Sequence, residues 1–185
     1  MKYLVPVLVL ILVLTFLCSC SGTQNPPAIE YGEFPFRVVY KSDGETHIIE
    51  DVIICEFNGY DLSALFQKPR SWNIGLKSDT DAPYPVSYNI RILEFDDNTN
   101  SVLNPDRVIE EHWVSLSLGA PAHYMGDPNA SSMVHKEPHF YYIELYESAV
   151  SYFDSTMLTH AQVKELFGIE VVEWTFSEPI VNSFR

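Results

Sequence analysis

The sequence predicts a mainly β fold, an antiparallel sandwich or barrel-like sheet with one short C-terminal helix, preceded by a signal peptide. Several short segments alternate apolar and polar residues with a period of two, which is the pattern of half-buried strands. One late segment instead has helical spacing and helix-ending residues. A composition of 46 % apolar and 14 % aromatic residues in 185 residues is typical of one folded domain and excludes a disordered chain.

The first predicted strands form a hairpin. Phe34, Phe36, Val38 and Tyr40 share one parity, and Ser42-Asp43-Gly44 is a turn sequence. The run from Thr46 to Phe57, rich in Ile and Val, is the expected partner strand. Asn58-Gly59 predicts a second turn, and residues 61–67 could form a short helical turn.

Three further strands are predicted in the middle of the chain. Val86–Phe95 alternates strictly and is followed by an acidic turn over Asp96–Asn100. The other two predicted strands are Val108–Leu118 and His139–Tyr146, and the second of them is dense in Tyr and Phe. His112 shares parity with the apolar residues of its strand, so we expect it in the core. The three tryptophans lie in strand-like runs, and core packing is the expected role of Trp72, Trp113 and Trp174.

The helix is expected from His160 to Phe167. Thr159 can cap it, and Gln162 three residues later completes a capping-box pattern. Gly168 is placed to end it. A last strand is predicted from Ile169 to Ser177.

The amino terminus predicts export. Lys2 precedes an apolar run of about 15 residues from Tyr3 to Leu17, which has the layout of a secretory signal and is short for a spanning helix. The run ends in Leu17-Cys18-Ser19-Cys20, which resembles a bacterial lipobox. That resemblance implies a diacylglyceryl group on the sulfur of Cys20 and cleavage before it. An ordinary signal cleaved near Ser21 or Gly22, or an uncleaved membrane anchor, are the alternatives.

These features divide the chain into three parts. Residues 1–19 are the predicted lipoprotein signal peptide, residues 20–29 the lipidated cysteine with a short polar tether, and residues 30–185 one extracytoplasmic β-rich domain. Within that domain Cys55 is the single cysteine, so no internal disulfide is possible and a small buried hydrophobe is its expected role.

Charge and motif spacing exclude several function classes. A net charge of −14 argues against nucleic acid, because phosphate binding needs clustered Lys and Arg. The eight glycines are too widely spaced for a dinucleotide fingerprint or a phosphate-binding loop. The sequence also lacks G-x-S-x-G, H-E-x-x-H and C-x-x-C. It therefore predicts no cofactor and assigns no catalytic residue.

The loop Gly119–Pro128 is the expected binding surface, because loops carried on rigid sheets often hold function. It offers His123, Tyr124 and Asp127 between two predicted strands. His123 with Asp127 could act as an acid–base pair, although no nucleophile lies beside them in sequence.

Two patterns resemble metal sites without meeting their requirements. Asp96-Asp97-Asn98-Thr99-Asn100 starts like a calcium loop, but Ser101 and Arg107 stand where glycine and glutamate are needed. His135, Glu137 and His139 could project together toward zinc, with His112 or His123 joining through folding. A solvated hairpin turn is the competing interpretation of the first pattern. In the second, Pro138 disturbs the regular spacing and no third histidine is nearby in sequence, so no metal site is assigned.

The lipobox together with EFPFRVVYKSDGE, ICEFNGYD and LGAPAHYMGD is similar to a group of small uncharacterised lipoproteins of Gram-positive, clostridia-like bacteria. The resemblance implies a domain anchored to the cell membrane through a diacylglycerol on Cys20 and facing outside the cytoplasm. It transfers no catalytic residues. We expect a non-enzymatic domain that binds an envelope protein, peptide or glycan; the alternative is an envelope enzyme built around His123 and Asp127.

Overall fold

The computed structural model describes eight strands and two short helices. It covers residues 25–61, 69–79, 89–95, 101, 103, 107–129, 137–146 and 152–184. The strands are β1 Tyr31–Ser42, β2 Glu45–Tyr60, β3 Arg70–Leu76, β4 Asn89–Phe95, β5 Ile109–Ser117, β6 His139–Tyr146, β7 Tyr152–Leu158 and β8 Glu170–Phe176. The helices are α1 Pro121–Tyr124, between β5 and β6, and α2 His160–Phe167, between β7 and β8.

The strands form two antiparallel sheets of four strands each, which confirms the mainly β prediction. The first sheet has the order β3-β2-β1-β8, and the second the order β4-β5-β6-β7. The second is a simple up-and-down meander. In the first sheet, β8 pairs with β1 although the two strands lie near opposite ends of the sequence. The carboxyl-terminal part of the chain therefore completes the amino-terminal sheet.

The hairpin of β1 and β2 follows the sequence closely. Asp43 and Gly44 connect the strands with φ angles of 52° and 81°, and Ser42 pairs directly with Glu45. Two positive φ angles make the tight turn that matches the twist of paired strands, and Asp-Gly is a favoured sequence for it. The even-numbered residues of β1 then face the core, as their parity predicts.

Both sheets contribute apolar side chains to a single core. Buried residues of the first sheet lie in the same cluster as buried residues of the second, and buried positions alternate along β6. Members with 2 % exposure or less include Phe34, Val38, Ile53, Val114, Leu116, Phe140 and Tyr142. Tyr40 also donates a hydrogen bond from its hydroxyl to the carbonyl oxygen of Ile92, which links the two sheets directly.

Helix α2 has the bounds and caps that the sequence predicts. The Thr159 hydroxyl accepts a hydrogen bond from the Gln162 amide, and the Gln162 side chain accepts one from the Thr159 amide. Gly168 ends the helix in the left-handed conformation with φ 67°. Val163 is fully buried and anchors the helix to the core. In the described part of the chain, neither helix has the length and apolar content to cross a bilayer.

Several expectations require correction. Two short helices are present where one was predicted, β3 was anticipated only as a strand-like run around Trp72, and β7 was not predicted. Asn58-Gly59 is not a turn: β2 continues to Tyr60 and its register with β3 shifts between Phe57 and Tyr60, so Gly59, with φ 80°, lies in a bulge. Trp72 is buried as expected, but Trp174 is 38 % exposed.

Some predictions fall on residues outside the described ranges. These are the signal peptide, lipidation at Cys20, the first residues of the strand predicted at Val86–Phe95, most of the helical turn over 61–67, and the acidic turn Asp96–Asn100. They remain predictions.

Candidate functional site

The loop predicted to bind a partner contains helix α1, and two of its three candidate residues are buried. Tyr124 is 5 % exposed and donates a 2.7 Å hydrogen bond from its hydroxyl to the carbonyl oxygen of Leu118. Burial raises the pKa of Tyr124 well above its usual value. Its ring packs against Phe34 with 5.0 Å between centroids, so it acts as a core residue with a satisfied hydroxyl.

Asp127 is the centre of a buried ion pair. Arg70 donates two hydrogen bonds to it, from Nε to Oδ2 at 2.8 Å and from Nη2 to Oδ1 at 2.7 Å, and the two side chains are 4 % and 3 % exposed. The Trp72 indole donates a third, of 3.0 Å, to Oδ2. Burial acts to raise the pKa of Asp127, but the hydrogen bonds from Arg70 and Trp72 outweigh it and leave the pKa lowered.

His123 is separate from this ion pair. Its ring is half-buried and lies 5.7 Å, centroid to centroid, from that of Tyr124. Burial lowers its pKa, while the charge of Glu178 acts in the opposite direction. Among the described residues no hydrogen bond joins His123 to Asp127; the hydrogen bonds of Asp127 come from Arg70, Trp72 and the amide of Asn129. The loop is therefore built around a cation on β3 and not around an imidazole.

The two terminal segments close over Arg70. Its Nη1 donates a 3.0 Å hydrogen bond to the carbonyl oxygen of Asn25, and its guanidinium carbon lies 4.1 Å from the ring centroid of Phe184. We call Arg70, Asp127, Trp72, Asn25 and Phe184 the Arg70 clasp. It joins residues from both ends of the described chain to β3 and to the α1 loop.

Backbone contacts reinforce the clasp. The Ala28 amide donates to the Ser183 carbonyl at 2.7 Å. The Asn182 side chain both accepts from the Ile29 amide and donates to the Ile29 carbonyl, and it also donates to the Met125 carbonyl. The amino-terminal segment from Asn25 onward is thus fixed to the folded body.

Sequence reasoning missed Arg70 and its role. The one local signal is an arginine at the start of the run Arg70–Leu76, which is otherwise apolar or uncharged. Its partner Asp127 lies 57 positions away, and the bounds of β3 were not predicted beyond a strand-like run around Trp72.

A second buried carboxylate, Glu144, lies on β6. It is fully buried, and it accepts hydrogen bonds from the hydroxyls of Ser101 and Tyr146, the latter at 2.6 Å, and from the Leu103 amide at 3.3 Å. Burial, followed by the hydrogen bond to Glu144, raises the pKa of Tyr146 to about 12. Parity was the available signal, since Glu144 shares the inward face of its strand with Tyr142 and Tyr146.

The histidines considered for metal binding lie apart. His112 is a core residue, as expected: its Nδ1 lies 2.8 Å from the Tyr142 hydroxyl and its ring stacks on Phe95 at 4.5 Å. His135 is outside the described ranges. Across the residues that the structure does describe, no three His, Cys, Asp or Glu side chains are grouped as ligands for a metal ion.

One groove gathers chemically active side chains near the surface. It has a volume of about 370 Å³ and lies where β6, β7 and the start of α2 meet, with Glu137, Pro138, His139, Met157, Leu158, Thr159, His160 and Ala161 around it. We call it the corner groove. In it, His139 Nδ1 is 3.3 Å from Met157 Sδ. Burial and the neighbouring His160 lower the pKa of His139.

No protein-family model, curated protein or solved structure matches this chain.

Proposed function

We propose that the chain is a lipid-anchored extracytoplasmic protein whose β domain, with its two sheets packed as a sandwich, binds a protein, peptide or glycan at the cell envelope. The observation that carries the proposal is the position of Asn25. The Arg70 clasp holds this residue against the body, five positions after the lipobox cysteine Cys20.

The short connection from Cys20 to Asn25 favours a domain that is held close to the bilayer over one that moves freely away from it. Five extended peptide units reach at most about 18 Å. A diacylglycerol on Cys20 would thus keep the domain close to the bilayer, and two acyl chains are what stable anchoring needs. The net charge of −14 would be repelled by anionic headgroups, so the lipid and not the domain surface supplies the attachment.

The outer face of the second sheet supports a binding role. Trp113 on β5 is half-buried, and the guanidinium carbon of Arg91 lies 4.0 Å from its ring centroid. Tyr141 on β6 pairs with Ser115, two positions from Trp113, so the two aromatic rings share a face. The Ser115 hydroxyl between them is buried, and it has no hydrogen-bond partner among the described residues. Aromatic faces beside polar groups suit a glycan or an extended peptide.

The enzyme alternative has no specific observation in its favour among the described residues. Its acid–base pair needs Asp127 to act on His123, and that carboxylate is already bound by Arg70 and Trp72.

Metabolic labelling with an alkyne fatty acid tests the anchor. We expect label on the wild-type protein and on Cys18→Ala, which is the matched control within the same motif. Cys20→Ala should lose the label and leave the membrane fraction, because it lacks the thiol that accepts the lipid. Equal labelling of Cys20→Ala and the wild type would overturn the proposal.

Site-specific photocrosslinking in intact cells tests the binding face. A photoreactive residue in place of Tyr141 should give a discrete adduct that Trp113→Ala removes. The matched control is the same residue in place of Lys41, which is exposed on the first sheet. The same adducts from both positions would contradict a binding role for the second sheet.

A further inference from the structure

We propose that the corner groove binds a soft monovalent cation, Cu(I), with His139 Nδ1 and Met157 Sδ as its protein ligands, in a groove that the His160 imidazole also lines. This inference concerns a different part of the molecule from the anchor and does not depend on lipidation.

The pairing of β6 with β7 brings the two ligands together. Met157 lies directly opposite Tyr141, and His139 lies two positions before Tyr141, so His139 and Met157 are diagonal neighbours on one face of the sheet. This is the outer face, because the inward positions of β6 are Phe140, Tyr142 and Glu144. Met157 is 51 % exposed, so an ion can reach its sulfur from solvent.

The separation of the two donor atoms fits one shared ion. A metal bound about 2.0 Å from an imidazole nitrogen and about 2.3 Å from a sulfur needs those atoms roughly 3.0 to 3.7 Å apart. The observed separation is 3.3 Å, which lies within that range. The ion would take the place of the proton on Nδ1, and the neutral ring would then carry its proton on Nε2.

His160 has the contact expected of a metal-binding imidazole. It is the first residue of α2, and its Nε2 donates a 2.8 Å hydrogen bond to the carbonyl oxygen of Pro138, the residue before His139. Histidine ligands commonly donate one ring N–H to a backbone carbonyl, which fixes the tautomer and the ring orientation. In the neutral ring this leaves the lone pair on Nδ1.

The donor types select the metal. Thioether sulfur is soft and favours Cu(I), and imidazole binds copper readily, whereas Ca²⁺ and Mg²⁺ require oxygen ligands. Structural zinc sites use four ligands from Cys, His, Asp and Glu, and no such group forms among the described residues. The net charge of −14 attracts cations.

Silver ion is the probe, because Ag(I) has the ligand preferences of Cu(I) and does not change oxidation state under the assay conditions. The full chain is first treated with iodoacetamide so that reactive thiols cannot bind the ion; buried Cys55 has its pKa raised to about 12 and stays unreacted and inaccessible. Binding is then followed by calorimetry and by the NMR signals of the methionine methyl groups and histidine ring protons.

We expect one Ag(I) to bind with shifts at Met157 and His139. Met157→Leu keeps the size and apolar character of the side chain and should weaken binding at least tenfold; His139→Gln should do the same. His47→Gln removes a histidine of β2 and is the matched control, with unchanged affinity. Circular dichroism establishes that each variant is folded.

Three results would overturn the site: Ag(I) affinity that is unchanged in Met157→Leu, chemical-shift changes that spare both residues, or Zn(II) affinity equal to that for Ag(I). A soft-metal site predicts the opposite in each measurement.

Discussion

At the scale of single residues, the Arg70–Asp127 pair is the most consequential feature. Asp127→Asn keeps the shape of the side chain but leaves the Arg70 guanidinium buried without a counter-charge. Breaking a buried pair in this way costs about 3 to 5 kcal/mol. We expect a loss of about 3 kcal/mol in the free energy of unfolding, measured by denaturant titration.

A surface pair of similar geometry provides the control. Arg37 and Glu173 lie 2.6 Å apart with side chains 34 % and 59 % exposed. Glu173→Gln should cost less than about 1 kcal/mol, because solvent screens exposed charges. If Asp127→Asn and Glu173→Gln lost the same amount, burial would not be what makes the Arg70 pair important.

The same carboxylate should contribute to acid sensitivity. The pKa of Asp127 is lowered in the folded protein, so its stabilising contribution is complete above the unfolded-state pKa of about 3.9 and is lost as the pH falls through the folded-state pKa. The stability difference between the wild type and Asp127→Asn should therefore shrink between pH 6 and pH 3. Denaturant titrations at both pH values measure it, and a constant difference would contradict the assigned role.

Cys55 should be chemically inert in the folded protein. Its side chain is fully buried, and burial raises its pKa to about 12, so almost no thiolate is present at pH 8. We expect no iodoacetamide adduct on Cys55 by mass spectrometry in buffer, and complete alkylation in guanidinium chloride. Rapid modification without denaturant would show that the core opens around β2.

Residue-level prediction from sequence succeeded where parity decides burial. Cys55 and His112 lie in the core because the neighbours at the same parity are apolar. It failed for Asp127, because the sequence suggested the nearby His123 as partner while folding supplied Arg70 from another strand. Local spacing contains no information about a partner 57 residues away.

At the scale of elements, two glycines have similar backbone angles but different surroundings. Substituting each of them with alanine therefore distinguishes a steric effect on stability from a conformational one. Gly126 has φ 62° and Gly168 has φ 67°. A Cβ at Gly168 meets no atom within 4 Å, whereas one at Gly126 would collide with the carbonyl oxygen of Ile180. Gly168→Ala should therefore cost about 1 kcal/mol, the left-handed backbone penalty alone.

Gly126→Ala should cost more, because it also displaces the carboxyl-terminal segment from the α1 loop. The Ile180 amide donates a 2.9 Å hydrogen bond to the Tyr124 carbonyl, and that contact would be strained or lost. Thermal unfolding of the two variants makes the comparison. Equal losses would show that the segment yields without cost.

The elements that sequence predicted are those with a complete local signal. β1 has apolar residues at alternate positions from Phe34 to Tyr40, and α2 has both a capping box and a terminal glycine. β7 contains Asp154, Ser155 and Thr156 in its middle, so its pattern is too polar to indicate a strand. It is a strand because β6 pairs with it residue for residue. The bulge at Gly59 has the same origin: Asn-Gly favours a turn locally, but pairing with β3 continues past it.

At the scale of the whole molecule, the clasp and the lipobox together predict an orientation. Asn25, Ile29 and Val181 lie at the Arg70 end of the body, and β1 runs from this end at Tyr31 to the hairpin tip at Asp43. Twelve strand residues span about 35 Å. A lipid on Cys20 would therefore place the Arg70 end near the bilayer and the Asp43 tip far from it.

Energy transfer to a lipid-bound acceptor measures this orientation. Val181 is 96 % exposed and Asp43 is also exposed, so Val181→Cys and Asp43→Cys accept a fluorophore without disturbing the core, while buried Cys55 does not react. With mature lipidated protein in vesicles, transfer should be much stronger from position 181. The lipid-free Cys20→Ala protein, which should not bind the vesicles, sets the background. Equal transfer from both positions in lipidated protein would show that the domain turns freely on its tether. Stronger transfer from position 43 would reverse the orientation. Either result would mean that the clasp does not control how the domain faces the membrane.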